Sequence, residues 1–130
     1  MKRDLELIRR IMLDTEAMPA GKHLQLGDID DDAAEYDGKS AEEVAAHVEL
    51  LVEAGYLDAI IVSGSMGSAH AFVIRRLTWP GHEFLANAKD DVVWKKALNE
   101  VGGKATSISI AVMNALLQKV MKEFLGLPPN

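Results

Sequence analysis

The chain has 130 residues, 48% of them apolar, no cysteine and a formal net charge of −6. That is enough apolar material for one domain with its own core. It leaves no disulfide, thiolate nucleophile, Cys-ligated zinc or iron–sulfur cluster. The opening MKRDLELIRR is charged and has no signal-peptide core, and no apolar run reaches the roughly 20 residues of a membrane span. A cytoplasmic protein without membrane insertion is the expectation.

The charge is unevenly placed. Asp28, Asp30, Asp31, Asp32, Glu35 and Asp37 fall in one short stretch without a base, and setting them aside leaves the rest balanced. Neither part has the basic excess of a strong nucleic-acid binder.

In chain order, a first helix is predicted from Asp4 to Glu16. Asp4 is its N-cap, and Leu5, Ile8, Met12 and Thr15 share one face. Met18-Pro19-Ala20-Gly21 ends it, and Leu24-Gln25-Leu26 reads as a short strand. Asp31 to Tyr36 has room for one or two helical turns before the Asp37-Gly38-Lys39 turn. Ser40 opens the best-specified helix, to Ala54, through a Ser40/Glu43 capping box. Its buried face is Val44, Val48, Leu51 and Val52, and its opposite face is Glu42, Ala46, Glu49 and Glu53. Gly55 suits the left-handed residue beyond a helix end.

Tyr56–Val62 and Ala71–Leu77 form a predicted hairpin whose tip is the glycine- and serine-rich Ser63–Ser68. Thr78 caps a helix from Trp79 to Ala88, with Pro80 tolerated in its first turn. Asp90 or Asp91 caps another, aligning Trp94, Ala97, Leu98 and Val101. Gly102-Gly103 breaks it, and a last helix is predicted from Thr106 to Leu125.

The order helix, short strand, helix and two-stranded wing predicts an α+β winged helix-turn-helix-like domain. Residues 1–78 are its core, and residues 79–130 are a helical C-terminal extension packed on the same domain.

Three stretches carry a resemblance: MKRDLELIRRIM (Met1 to Met12), EEVAAHVELLVEAGYL (Glu42 to Leu57) and LTWPGHEFLANAKDDVVW (Leu77 to Trp94). The chain resembles an uncharacterised family of small bacterial and phage proteins known as a domain of unknown function. Its pattern runs MKRDLxLIR, then LTWxGHxFL, then W. Leu77 to Trp94 is the most specific part of the likeness, and the acidic stretch Asp28–Asp37 is the least similar. The resemblance implies a winged-helix-like fold and transfers no catalytic or binding residue.

The helix expected to enter a DNA groove carries Glu42, Glu43, Glu49 and Glu53 and neither lysine nor arginine. Base and phosphate contacts use Arg, Lys, Asn or Gln, and carboxylates are repelled by the duplex. Lys2, Arg3, Arg9, Arg10, Arg75 and Arg76 are the candidate weak phosphate contacts, weighed against solvated charges paired with Asp4, Glu6 or Asp14. Asp28, Asp30 and Asp32 begin like a calcium loop, but Ala33 and Lys39 stand where glycine and glutamate are needed. His23, His47, His70 and His82 show no ligand spacing, and no catalytic constellation emerges. No metal, cofactor or enzymatic activity is expected.

On the last helix Ile110, Met113, Leu117, Val120, Met121 and Phe124 line one face. Ile108, Val112 and Leu116 form a second apolar row, a candidate oligomer interface that needs cover from within the chain or from a second subunit. The expectation is a non-catalytic winged-helix module acting through protein contacts in a bacterial or phage regulatory setting, as a homodimer or with a protein partner. The alternative is a sequence-specific DNA-binding transcriptional regulator.

Overall fold

The computed structural model describes residues 2–26, 38–63, 69–102 and 108–128. The acidic stretch, its proposed helical turns, its calcium-loop reading and most of the hairpin tip lie outside them.

The described residues form a mixed α+β fold in the order α1 (Leu5–Ala17), β1 (Leu24–Leu26), α2 (Ala41–Glu53), β2 (Leu57–Ser63), β3 (Ala69–Leu77), α3 (Trp79–Ala88), α4 (Asp91–Val101) and α5 (Ile110–Phe124). Local chemistry sets most of the boundaries. The Asp4 carboxylate accepts from the N–H groups of Glu6 and Leu7, Ser40 from Glu43, Thr78 from Gly81, and Asp90 from Val92 and Val93. Each cap satisfies donors that the first helical turn leaves unpaired.

The strands form one antiparallel sheet in the order β1-β3-β2. β3 is central, pairing Leu24 with Ile74 on one side and Leu57 with Leu77 on the other. Phe72, Ile74 and Leu77 are buried from β3. They meet the Leu7, Ile8, Ile11 and Met12 face of α1 and the Val44, Val48 and Leu51 face of α2 in one continuous core. Phe84 and Leu85 of α3, Val93, Trp94 and Ala97 of α4, and Met113, Leu117 and Val120 of α5 belong to that core as well.

Two contacts fix how the helices sit. Thr78 donates its backbone N–H to the Tyr56 carbonyl at 3.1 Å, and the Tyr56 ring stacks on Phe84 with centroids 5.3 Å apart. Fully buried His47 joins α2 to the start of α1: its Nε2 accepts the Asp4 N–H at 2.9 Å, and its Nδ1 lies 2.7 Å from the Glu43 carbonyl. A backbone N–H can only donate and a carbonyl can only accept, so the proton sits on Nδ1.

The last helix departs from the sequence expectation. It starts at Ile110, not Thr106, because the Ser109 hydroxyl accepts the Val112 N–H and so caps it. Ile108 therefore precedes the helix, and Ile108, Val112 and Leu116 do not form one helical row. Ile108 and Leu116 are half-buried against the core, while Val112 is 54% exposed. Phe124, expected on the docking face, is 47% exposed.

Candidate functional site

The outward face of α2 is acidic. Glu42, Glu49 and Glu53 are exposed, while Glu43, Ala46 and Leu50 are half-buried. No basic side chain interrupts it.

The six candidate phosphate contacts separate into two groups. Lys2, Arg3, Arg9 and Arg10 stand at the start of the chain and on α1. Arg3 donates to the Ile108 carbonyl at 3.0 Å. Arg9 donates to the carbonyls of Ala88 and Lys89 and pairs with Asp91 at 2.7 Å, and its guanidinium lies 5.3 Å from the Trp94 ring centroid. It thus closes the C-terminal end of α3, where cations meet the helix dipole and free carbonyls. Arg10 pairs with Asp14 along α1 at 3.3 Å, and Lys2 is exposed.

Arg9, Arg10 and Lys39 line a cleft of about 260 Å³ together with Asp4, Glu6, Leu7 and Leu13. Lys39 reaches the Asp4 carboxylate at 3.0 Å. Burial pushes the Asp4 carboxyl upward, but the Lys39 ammonium and the N–H groups of Leu7 and Glu6 outweigh it and hold it below its ordinary value. The same hydrogen bond holds Lys39 above its ordinary range. Hydrogen bonding and charge from Arg9 lower the Asp91 carboxyl. Trp94 Nε1 donates to Glu6 Oε1 at 2.7 Å, which ties the same region to α4. Every charged group of this cleft has a structural duty.

The second group behaves differently. Arg75 and Arg76, at the end of β3, line a cleft of about 390 Å³ with Lys22, His23 and His82. Pairing of Leu24 with Ile74 explains the gathering: continuing that register places His23 and Lys22 abreast of Arg75 and Arg76. Both arginines share one carboxylate, Asp58, at 3.8 and 3.6 Å, and remain largely exposed. The cleft's own carboxylate, Glu16, is paired with Lys89 at 2.6 Å. Lys22 forms no ion pair among the described residues. The cleft is thus cationic on a chain that is acidic in sum. The sequence marks Arg75 and Arg76 as candidate phosphate contacts, marks His23 and His82 only as histidines without ligand spacing, and does not mark Lys22. Only the strand register reveals their company.

The apolar candidates are also rearranged. Val112 is the exposed member of its set, and Phe124, Leu125 and Leu127 add exposed apolar surface at the end of α5. Trp79, in the first turn of α3, is 76% exposed. Among the described residues no helix is long and apolar enough to cross a membrane.

No solved structure matches the chain. A protein of Haemophilus influenzae, named "Uncharacterized protein", is 30% identical over 126 residues, 97% of this chain and all of the relative. The family described as "Hypothetical protein (DUF2513)" matches residues 2–107, from the start of the chain through α4. With caps and core contacts of α1 to α4 inside that span and a full-length relative beside it, the chain belongs to the DUF2513 family.

Proposed function

We propose that the chain is a non-catalytic winged-helix module that acts through protein contacts, as a homodimer, in a bacterial or phage regulatory setting. The winged-helix reading is supported by the order α1, β1, α2, β2, β3 and by a sheet ordered β1-β3-β2, in which α2 precedes the hairpin as a groove-reading helix would.

The observation that carries the functional reading is the exposed row Glu42, Glu49 and Glu53 on α2. A helix that reads base edges presents donors to a polyanion, and this one presents carboxylates. Exposed Val112, Phe124, Leu125 and Leu127 on and beyond α5 supply the apolar surface for a contact, and a two-fold arrangement is the commonest way identical chains cover such a patch.

The alternative, a sequence-specific DNA-binding regulator, is favoured by the same topology. Selection from randomised duplexes separates the two. The module reading expects no site bound more tightly than about micromolar at physiological salt, and a selected duplex bound at nanomolar concentration overturns it. Sedimentation completes the test. A dimer that Val112→Glu with Phe124→Glu converts to a folded monomer supports self-association; a wild-type monomer at high micromolar concentration removes it and leaves a different protein as partner.

A further inference from the structure

The cationic cleft at the end of β3 gathers like charges. The register of β1 on β3, continued past Leu24, brings Lys22 beside Arg76 in the lining of the cleft, and like charges set side by side repel. The available carboxylates do not offset this. Asp58 is divided between two arginines at 3.6–3.8 Å, and Glu16 is engaged by Lys89. An anion seated in the cleft would complete it.

A second, independent observation gives that anion a chemical class. Trp79 is the most exposed large apolar side chain of the described residues, at 76%. It does not line the cleft itself but lies three positions before His82, which does, so the two residues are neighbours on the surface of α3. The cleft's volume of about 390 Å³ suits a group of nucleotide size. An exposed indole one helical turn from a residue of a cationic cleft is a pairing that can take a base together with its phosphate.

We propose that this cleft binds a nucleotide unit. Its phosphate lies on Arg75, Arg76 and Lys22, and its base stacks on Trp79. The unit is either a free nucleotide or part of a single strand. α2 takes no part, so the proposal stands apart from the protein-contact reading.

Titration calorimetry with the full chain tests it, using adenosine monophosphate, inorganic phosphate, an oligodeoxyadenylate of about ten nucleotides and the matching blunt duplex. The expected result is saturable binding of the monophosphate, or of the single strand, more tightly than inorganic phosphate or the duplex. Trp79→Ala should weaken binding of the nucleotide unit about tenfold and leave phosphate binding unchanged. Arg75→Gln with Arg76→Gln should remove both. All three positions are exposed, so circular dichroism should report an intact fold. A monophosphate that binds as well as the single strand identifies a free nucleotide, and a tighter single strand identifies the polymer. The proposal is overturned if neither saturates below about 1 mM. It is equally overturned if the duplex matches the single strand, or if Trp79→Ala changes nothing.

Discussion

The Cα of Gly81 faces the carbonyl of Tyr56 so closely that a Cβ built on it would stand 2.1 Å from the oxygen. Because that oxygen is a backbone atom already accepting from Thr78, it cannot swing aside as a flexible side-chain tip would. The first turn of α3 docks on the hairpin only because position 81 has no side chain. Gly81→Ala should therefore destabilise the protein by about 3 kcal/mol or more, above the ordinary gain from replacing a helical glycine. Thermal unfolding would check this, with a midpoint lowered by about 10 °C or more. A midpoint within a degree or two of wild type contradicts the close approach.

His47 is a structural polar residue at the centre of the α1–α2 contact. Changing His47→Phe preserves an aromatic ring there but strands the Asp4 N–H and leaves the Glu43 carbonyl only its helical partner. A loss of about 2 kcal/mol is expected. In urea it should appear as a lower midpoint with an unchanged slope.

Arg9 combines carbonyl capping, an ion pair and a ring contact in one guanidinium. A lysine has a single point charge and no planar fork, so Arg9→Lys should behave more like Arg9→Met than like wild type. Both should lower stability by about 1–3 kcal/mol. A lysine variant as stable as wild type would show that charge alone matters.

Asp4 supplies an acid-range signature. Its carboxyl is lowered in the folded chain, so the carboxylate favours folding. That contribution is complete above the ordinary aspartate value of about 3.9 and is lost as pH falls through the lower folded value. Asp4→Asn keeps an N-cap but loses the charge opposite Lys39. The stability gap between wild type and variant should be constant from about pH 5 upward and narrow below about pH 4. Denaturation midpoints measured across that range would show it, and a gap independent of pH contradicts the assignment.

Local chemistry made much of the fold legible. Asp4, Ser40, Thr78 and Asp90 are side chains that satisfy donors two or three residues away; the first three cap the helices the sequence assigns them, and the structure chooses Asp90 over Asp91 for α4. The start of α5 is less legible, because the apolar spacing of Ile108 extends the helical pattern past Ser109, whose hydroxyl caps the helix. The candidate site was only half legible. Arg75 and Arg76 are conspicuous as a pair, but the company of Lys22, His23 and His82 depends on strand pairing and helix docking across more than fifty positions of chain. No pattern of neighbours encodes that. Likewise, the LTWPGHEFL stretch has a structural explanation in the Thr78 cap, the bare Gly81 and the Phe84 ring under Tyr56.

The family match ends at residue 107, yet Met113, Leu117 and Val120 of α5 complete the buried cluster. α5 leans chiefly on α3 and α4, not on the sheet. It has the arrangement of a unit that can open by itself while the rest of the chain remains folded. Amide hydrogens of α5 should then exchange at a lower opening energy than those of β3, whose central position needs global unfolding. Each such opening would bare core side chains of α3 and α4, so transient loss of one helix, and not whole-chain unfolding, would set how often the core is offered to a protease or a neighbouring chain.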